Sequence, residues 1–431
     1  MIEGYKDSPL GRIPKTWIIS FLSEFTDEIT DYVSAGSFAN LKEKVTVLNE
    51  PNHAVYVRLT DLRKGLGHTE QKYIDEDSYK FLSKSNLYGR EILFANIGAN
   101  VGEVWIMPNI KQLASIAPNM ILIRANNEKV NPEYLHAYLC SSIGLSQIYK
   151  IIAGSGHPKI NKTELRKLLA ILPPLPEQQK IAEILSTVDE KIEVIDQQIT
   201  ETQELKKGLM QRLLTKGIGH SEFKDSPLGK IPESWEVVKL EEIADVKGGK
   251  RLPKGETLSE EKTSHPYIRV ADMFMGGVSL QKILYVPENI FPLIKNYTIS
   301  KDDLFISVAG TLGIVGEIPA ELDGANLTEN ADKLTNLKIN KSYLLQVLLS
   351  PLVQNSVLKE QTNNAQPKLA LTRIKTFEIT KPPLEEQQKI AAILSSVDEK
   401  LEVLAEKKVN YQELKQGLMQ QLLTGKIRVK V

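Results

Sequence analysis

Cysteine is almost missing: Cys140 is the only one in 431 residues, which excludes a disulfide framework and a thiolate cluster for a metal. Histidine is scarce as well, six in all, scattered without HExxH or any paired-ligand spacing. No apolar run approaches the roughly 18 residues a membrane span requires. The opening stretch MIEGYKDSPLGRIPKTW has no basic-then-apolar leader pattern, so a cytoplasmic protein is the expectation. Net charge is lacking too, since 54 Lys and Arg balance 54 Asp and Glu. That counts at first against nucleic acid, because phosphate binding rests on Lys and Arg displacing counterions. A phosphate-cradling GxxxxGK[ST] loop is absent. PPLP and PPLE are not the polar-Pro-Pro-aromatic motif with which amino methyltransferases grip a flipped base. GANVG and GTLGIVG are glycine-rich but follow strand-like runs without a helix behind them, and read as turns. The expectation is a protein that is not an enzyme.

What is present is repetition. PPLPEQQKIA (Pro173 to Ala182) returns as PPLEEQQKIA (Pro382 to Ala391), and over Pro173–Thr215 against Pro382–Thr424 29 of 43 positions are identical. A second echo lies ahead of each copy, where KDSPLGRIPKTW (Lys6 to Trp17) recurs as KDSPLGKIPESW (Lys224 to Trp235). The offsets differ, 209 against 218, because the intervening segments differ in length. Those segments share only landmarks: YVRLTDL with YIRVADM, ILFANIG with LFISVAG, HPKI with QPKL. They read as one fold carrying two different surfaces. HAVYVRL, REILFANIG and DLFISVAG are β-branched or aromatic and bounded by turn residues, whereas NPEYLHAYLCS and KSYLLQVLLSP have helical apolar spacing. Each variable domain is therefore expected to mix α and β. Apolar residues at 42 % and charged residues at 25 % are ordinary globular values, and the length suits two or three domains.

The near-identical segments follow a different rule. Ile181, Leu185, Val188, Ile192, Ile195 and Ile199 alternate spacings of four and three, as do Ile390, Leu394, Val397, Leu401 and Leu404, which is a heptad seam. Pro176, at a first helical turn with Glu177 behind it, suits a helix start. Farther on, at Gly208–Leu209 and Gly417–Leu418, the seam slips phase. A mid-helix glycine costs about 1 kcal/mol against alanine, so either close approach of another helix or a break is expected at Gly208 and Gly417. A helix of some 38 residues spans roughly 57 Å. Its lone apolar stripe needs a cover, and the twin helix is the obvious one. Equivalent helices paired about a perpendicular two-fold axis run antiparallel. The expected fold class is thus α+β: two mixed domains and two long helices forming an antiparallel coiled coil with pseudo-two-fold symmetry. The expected boundaries are 1–175 for the first variable domain, 176–216 for a central helical spacer, 217–383 for the second variable domain and 384–431 for a distal helical spacer. The segments Glu177–Leu214 and Glu385–Thr424 hold ten basic and fifteen acidic residues, which leaves a net +5 on the rest.

PLGxIPxxW ahead of each domain, PPLxEQQKIAxILSxVDEK, and the ending GLMQQLLTGKIRV together resemble the DNA-specificity subunits of type I restriction-modification systems, along the whole length. The resemblance implies that each variable domain is a target-recognition domain reading one half of a bipartite, asymmetric double-stranded DNA site. It implies that the helices set the distance between halves, and that each helical repeat seats one of two methyltransferase subunits, joined by restriction/translocase subunits. S-adenosylmethionine, ATP and Mg are then expected on the partners, and no cofactor or metal on this chain. It also implies a prokaryotic cytoplasm.

Base readout uses Arg toward guanine and Asn or Gln toward adenine, while Lys holds phosphates. Loop residues of those types are Arg58, Arg63 and Lys64 in RLTDLRKG, and His157, Lys159 and Asn161 in GSGHPKIN. In the second domain they are Lys250, Arg251 and Lys254 in GGKRLPKG, Arg269 in YIRVAD and Lys368 in AQPKL. The competing reading for each is a solvated charge or a structural ion pair. For Asn161, with Glu164 three residues on, it is a helix cap. The Asp-Glu-Lys runs at Asp189–Lys191 and Asp398–Lys400 lie on the heptad segments and read as a solvated flank of the seam, not a nuclease metal site. A rival class stays open: a coiled-coil adaptor with two protein-binding domains, favoured by neutral charge and separable by salt-sensitive binding to duplex DNA.

Overall fold

The computed structural model describes residues 4–154, 157–361 and 368–430. Gln366 and Pro367 of the QPKL landmark, and Ser155 and Gly156 of GSGHPKIN, lie outside them. The chain forms two compact units, Met1–Asp196 with Glu406–Val431, and Gln197–Ala405. Two long helices are shared out between them: a central helix, Leu175–Lys216, and a distal helix, Leu384–Leu422. Both pass through Gly208 and Gly417 without a break, and open space surrounds the place where a Cβ would project at either glycine. Among the described residues neither close approach nor a break, the two expectations for these glycines, is present.

The first unit is built on an antiparallel four-stranded sheet in the order Val104–Ile106, Ile92–Ala95, Met120–Ala125, Thr26–Asp31. Beside it a five-stranded sheet holds one parallel pair, Ala54–Val57 with Ala114–Ile116. Ile92–Ala95 is apolar at every position because both faces of its sheet are covered. Alternate residues therefore feed different cores: Ile92, Phe94, Ile121 and Ile123 enter the main one, Leu93, Met120 and Leu122 a smaller one. The second unit repeats this plan, with strands Val315–Glu317, Leu304–Ser307, Ala331–Thr335 and Asp245–Gly248 in the same order, and Pro266–Ile268 parallel to Ala325–Leu327. Leu304, Ile306 and Leu334 face its main core, and Phe305 and Ala331 the smaller one. The helices read from NPEYLHAYLCS and KSYLLQVLLSP are Pro132–Leu139 and Lys341–Leu349, each N-capped by an asparagine, Asn131 or Asn340.

The repeated motifs clamp each unit to its helix segment. Trp17 and Trp235 are fully buried. Trp17 donates from Nε1 to Glu177 at 3.2 Å, and Trp235 to Glu386 at 2.8 Å. One residue on, Gln178 and Gln387 are buried and do the same work twice. Each Oε1 accepts from the backbone N–H of a capping asparagine, Asn131 or Asn340, at 2.8 Å. Each Nε2 donates to the first proline carbonyl of its own phrase, Pro173 or Pro382, again at 2.8 Å. A second partner completes each glutamate: Arg428 Nε at 2.8 Å from Glu177, and His220 Nε2 at 2.8 Å from Glu386. Gly217 and Gly425 make these returns possible, since both have positive φ (64° and 70°) and lack room for a Cβ against Glu386 and Pro14 respectively.

Along the seam, Ile181, Leu185, Val188 and Ile195 are buried in the first unit, and Ile390, Leu394 and Leu404 in the second, whereas Ile192, Val397 and Leu401 are half-buried. In the first unit Lys408 pairs with Asp196 at 2.6 Å and Lys415 with Asp189 at 2.5 Å. In the second, Lys206 pairs with Asp398 at 2.5 Å, and Gln346 also donates to that carboxylate at 2.9 Å. Both Asp-Glu-Lys runs lie on the solvated flank of the seam that the sequence suggested, with Glu190, Lys191, Glu399 and Lys400 exposed, and each aspartate also pairs with a lysine of the other long helix. No helix among the described residues is long and apolar enough to cross a membrane.

Candidate nucleic-acid interface

The RLTDL and RVADM landmarks share an arginine–aspartate fork, although the first opens a short α-helix, Leu59–Lys64, and the second a single 3-10 turn, Val270–Asp272. Arg58, closing strand Ala54–Val57, donates from Nε and Nη2 to the two oxygens of Asp61 at 3.0 and 2.6 Å, and from Nη2 to the Glu70 carbonyl at 2.8 Å. Arg269 repeats the fork on Asp272 at 2.9 and 2.6 Å and reaches the Lys282 carbonyl at 2.7 Å. Burial drives the Asp61 carboxyl upward, but hydrogen bonds from Arg58 and His68 outweigh it and hold the group below its ordinary range. Both guanidinium groups are spent on the fold, so the structural ion-pair reading holds for Arg58 and Arg269. Asn161 likewise caps a helix, its Oδ1 accepting from Glu164 N at 2.8 Å.

Other candidates face solvent. Arg63 pairs with Glu103 beside the GANVG turn, and Lys64 with Glu70; all four side chains are substantially exposed. Exposed pairs of this kind are worth about 0–1 kcal/mol, so a phosphate can displace the carboxylate. Lys159 lies in short antiparallel bridges to Ile97 and Ala153, with His157 two residues before it, and Lys368 occupies the equivalent bridge to Ala309. The HPKI and QPKL landmarks therefore set a lysine at one topological position in both units.

The second unit gathers its candidates most closely. Lys250 is tied by its backbone N–H to the Leu327 carbonyl at 2.8 Å, and its ammonium lies 5.5 Å from the Tyr297 ring centre. Arg251, 77 % exposed, donates to Glu329 at 2.7 Å. Lys254 is exposed in the same loop. Glu329 and Lys368 then line one cavity of about 510 Å³ together with Asp332.

Sequence reasoning passed over several residues. Arg124 bridges Glu28 and the Asn86 carbonyl while its guanidinium lies 5.3 Å from the ring centre of exposed Tyr88. Glu177, Gln178, Glu386 and Gln387 were hidden inside a phrase read as a partner's seat. Asp332 was missed because only the strand register shows that its side chain points inward. The Cys140 Sγ lies 3.5 Å from His136 Nε2, the outline of a nucleophile and its base. Burial holds the imidazole below its usual value and pushes the thiol up to about 11, so both stay neutral and the pair is no nucleophile.

Residues 17–204 and 232–412 both match the family model described as the type I restriction modification DNA specificity domain. The chain belongs to that family: it is a DNA-specificity subunit of the type I restriction-modification class, a recognition subunit and not a catalyst. It is 30 % identical to the putative type I restriction enzyme MjaX specificity subunit of Methanocaldococcus jannaschii, over 99 % of this chain and 97 % of that one. The MjaVIII specificity subunit of the same organism is 27 % identical at the same coverage. Among solved structures, the type I restriction-modification S subunit from M. genitalium matches with a TM-score of 0.60 at 17 % identity, covering 94 % of this chain and 96 % of that one. A chain from a study of complex assembly and conformational transition of the type I system matches at 0.55 and 18 %, covering 96 % and 99 %. These two carry the fold.

Proposed function

We propose that each unit reads one half of a bipartite, asymmetric site on double-stranded DNA, and that the chain instructs two methyltransferase subunits and the restriction/translocase subunits. The observation that carries this is two copies of one fold presenting unlike side chains around one shared lysine position, Lys159 and Lys368. Like frames suit one mode of docking, and unlike surfaces suit unlike half-sites. Arg63, Lys64, His157 and Lys159 in the first unit, and Lys250, Arg251, Lys254 and Lys368 in the second, are assigned to DNA.

The two long helices are assigned to an antiparallel coiled coil with pseudo-two-fold symmetry. Support comes from the ion pairs inside each unit: for Lys408–Asp196, Lys415–Asp189 and Lys206–Asp398 the two residue numbers add to the same total, as antiparallel partners in one register must. Exposed Val194, Leu205, Val403, Val409 and Leu414 on these helices suit a covering methyltransferase. S-adenosylmethionine, ATP and Mg are placed on the partners, and the complex in a prokaryotic cytoplasm. Sequencing of methylated bases in cells carrying the intact system tests the reading: a two-part motif is expected. Methylation without one, or binding by the purified complex that ignores sequence and salt, overturns it in favour of a protein adaptor.

A further inference from the structure

Asp332 stands where a core side chain belongs. On strand Ala331–Thr335 it lies opposite Ile306 on one side and Gly248 on the other, and it shares its face with Leu334, which enters the main core. The same register in the first unit puts Ile121 opposite Phe94, and Ile121 is wholly buried. One unit fills this position with hydrocarbon, so the fold itself does not require a carboxylate. The other unit nevertheless buries one to 5 % exposure, and its Oδ2 has no hydrogen-bond partner among the described residues. An unmet buried acceptor is costly, more so when charged. Burial raises its pKa to about 6 against the opposing charge of Lys368.

The cavity beside Asp332 is lined by Val308, Glu329, Lys368, Ala370 and Thr372 among others. Glu329 is already satisfied by Arg251, which leaves Asp332 as the uncommitted acceptor and Lys368 as the cation at its side. A buried acceptor in a cationic frame matches an amino group presented by an anionic polymer, and among base edges only cytosine N4 and adenine N6 offer one in the major groove.

Given the DNA-reading role above, on which this rests, we propose that Asp332 accepts a hydrogen bond from the exocyclic amine of a cytosine or adenine in the half-site bound by the second unit. Lys368 serves there as the neighbouring phosphate contact. Wild-type, Asp332→Asn and Asp332→Ile chains, each assembled in the intact system, decide it by methylation-site sequencing and by competition binding of the purified complexes. Either variant is expected to relax one base position of one half-site, lowering discrimination there by about tenfold or more. Affinity for unrelated duplex at matched salt should stay within about twofold, and whether the relaxed position held cytosine or adenine names the base. Asp332→Ile reproduces the first unit's own core residue and keeps the test open if Asp332→Asn disturbs folding. An unchanged motif, or equal loss on every sequence, makes Asp332 a structural charge and overturns the proposal while the two-part motif stands. Absence of a two-part motif with the wild-type chain overturns the DNA-reading role, and this inference with it.

Discussion

Replacing Gln387 by leucine tests how the repeated phrase holds a recognition unit to its helix. The amide accepts from Asn340 N–H and donates to the Pro382 carbonyl, both at 2.8 Å, in a site only 3 % exposed. Leucine fills a similar volume and satisfies neither group. Two buried backbone groups left unpaired cost about 1–3 kcal/mol each. The added apolar burial returns roughly 1–2 kcal/mol. At the middle of each range the expected net is a loss of about 2–3 kcal/mol, confined to the second unit. Amide hydrogen exchange is the assay, because a chain of two units need not unfold in one step. Helix Lys341–Leu349 is expected to open roughly 30- to 150-fold more often, at 1.4 kcal/mol per decade. Helix Pro132–Leu139 in the first unit serves as the internal control. Unchanged exchange in both helices would refute the idea that this glutamine anchors its domain.

Three further outcomes are expected. Gly208→Ala and Gly417→Ala should each stabilise the chain by up to about 1 kcal/mol, since both positions are helical with open space for a Cβ; thermal melting checks this, and destabilisation would show that something approaches those glycines. Because the Asp332 carboxyl rises from 3.8 to about 6 on folding, the folded chain binds the extra proton between those values. Its contribution is therefore full below about pH 4 and is lost as pH climbs through 6, by at most roughly 3 kcal/mol; urea titrations across that range should show a falling limb that Asp332→Asn removes. Lys254→Ala in the assembled complex should weaken matched and mismatched duplexes alike and reduce the slope of log affinity against log salt by about one, whereas equal slopes would remove that loop from the interface.

The elements were legible where one local period decided them. The strands Ala54–Val57, Ile92–Ala95 and Leu304–Ser307 and the two long helices sit where alternation, apolar runs and heptads placed them. The site was legible only in part, because side-chain partners lie far away in sequence. Gln178 meets Asn131, 47 positions back, and Trp17 meets Glu177, 160 positions on. Nothing local marks either pair. Repetition in the EQQKIA phrase was visible, yet its buried members serve the domain's own attachment, and only its exposed members are left for another subunit. Arg58 and Arg269 show the reverse case: the aspartate that consumes each guanidinium lay three residues away in plain view, but its burial did not.

The second unit is one unbroken stretch, Gln197–Ala405, and the ends of the first unit that flank it are already in touch, with Lys408 on Asp196. Codons for that stretch therefore form a natural cassette. Replacing it whole exchanges a reading head together with the helix segments its tryptophan and glutamine grip, and deleting it behind a short hairpin leaves a half-sized chain whose own clamps are all intact.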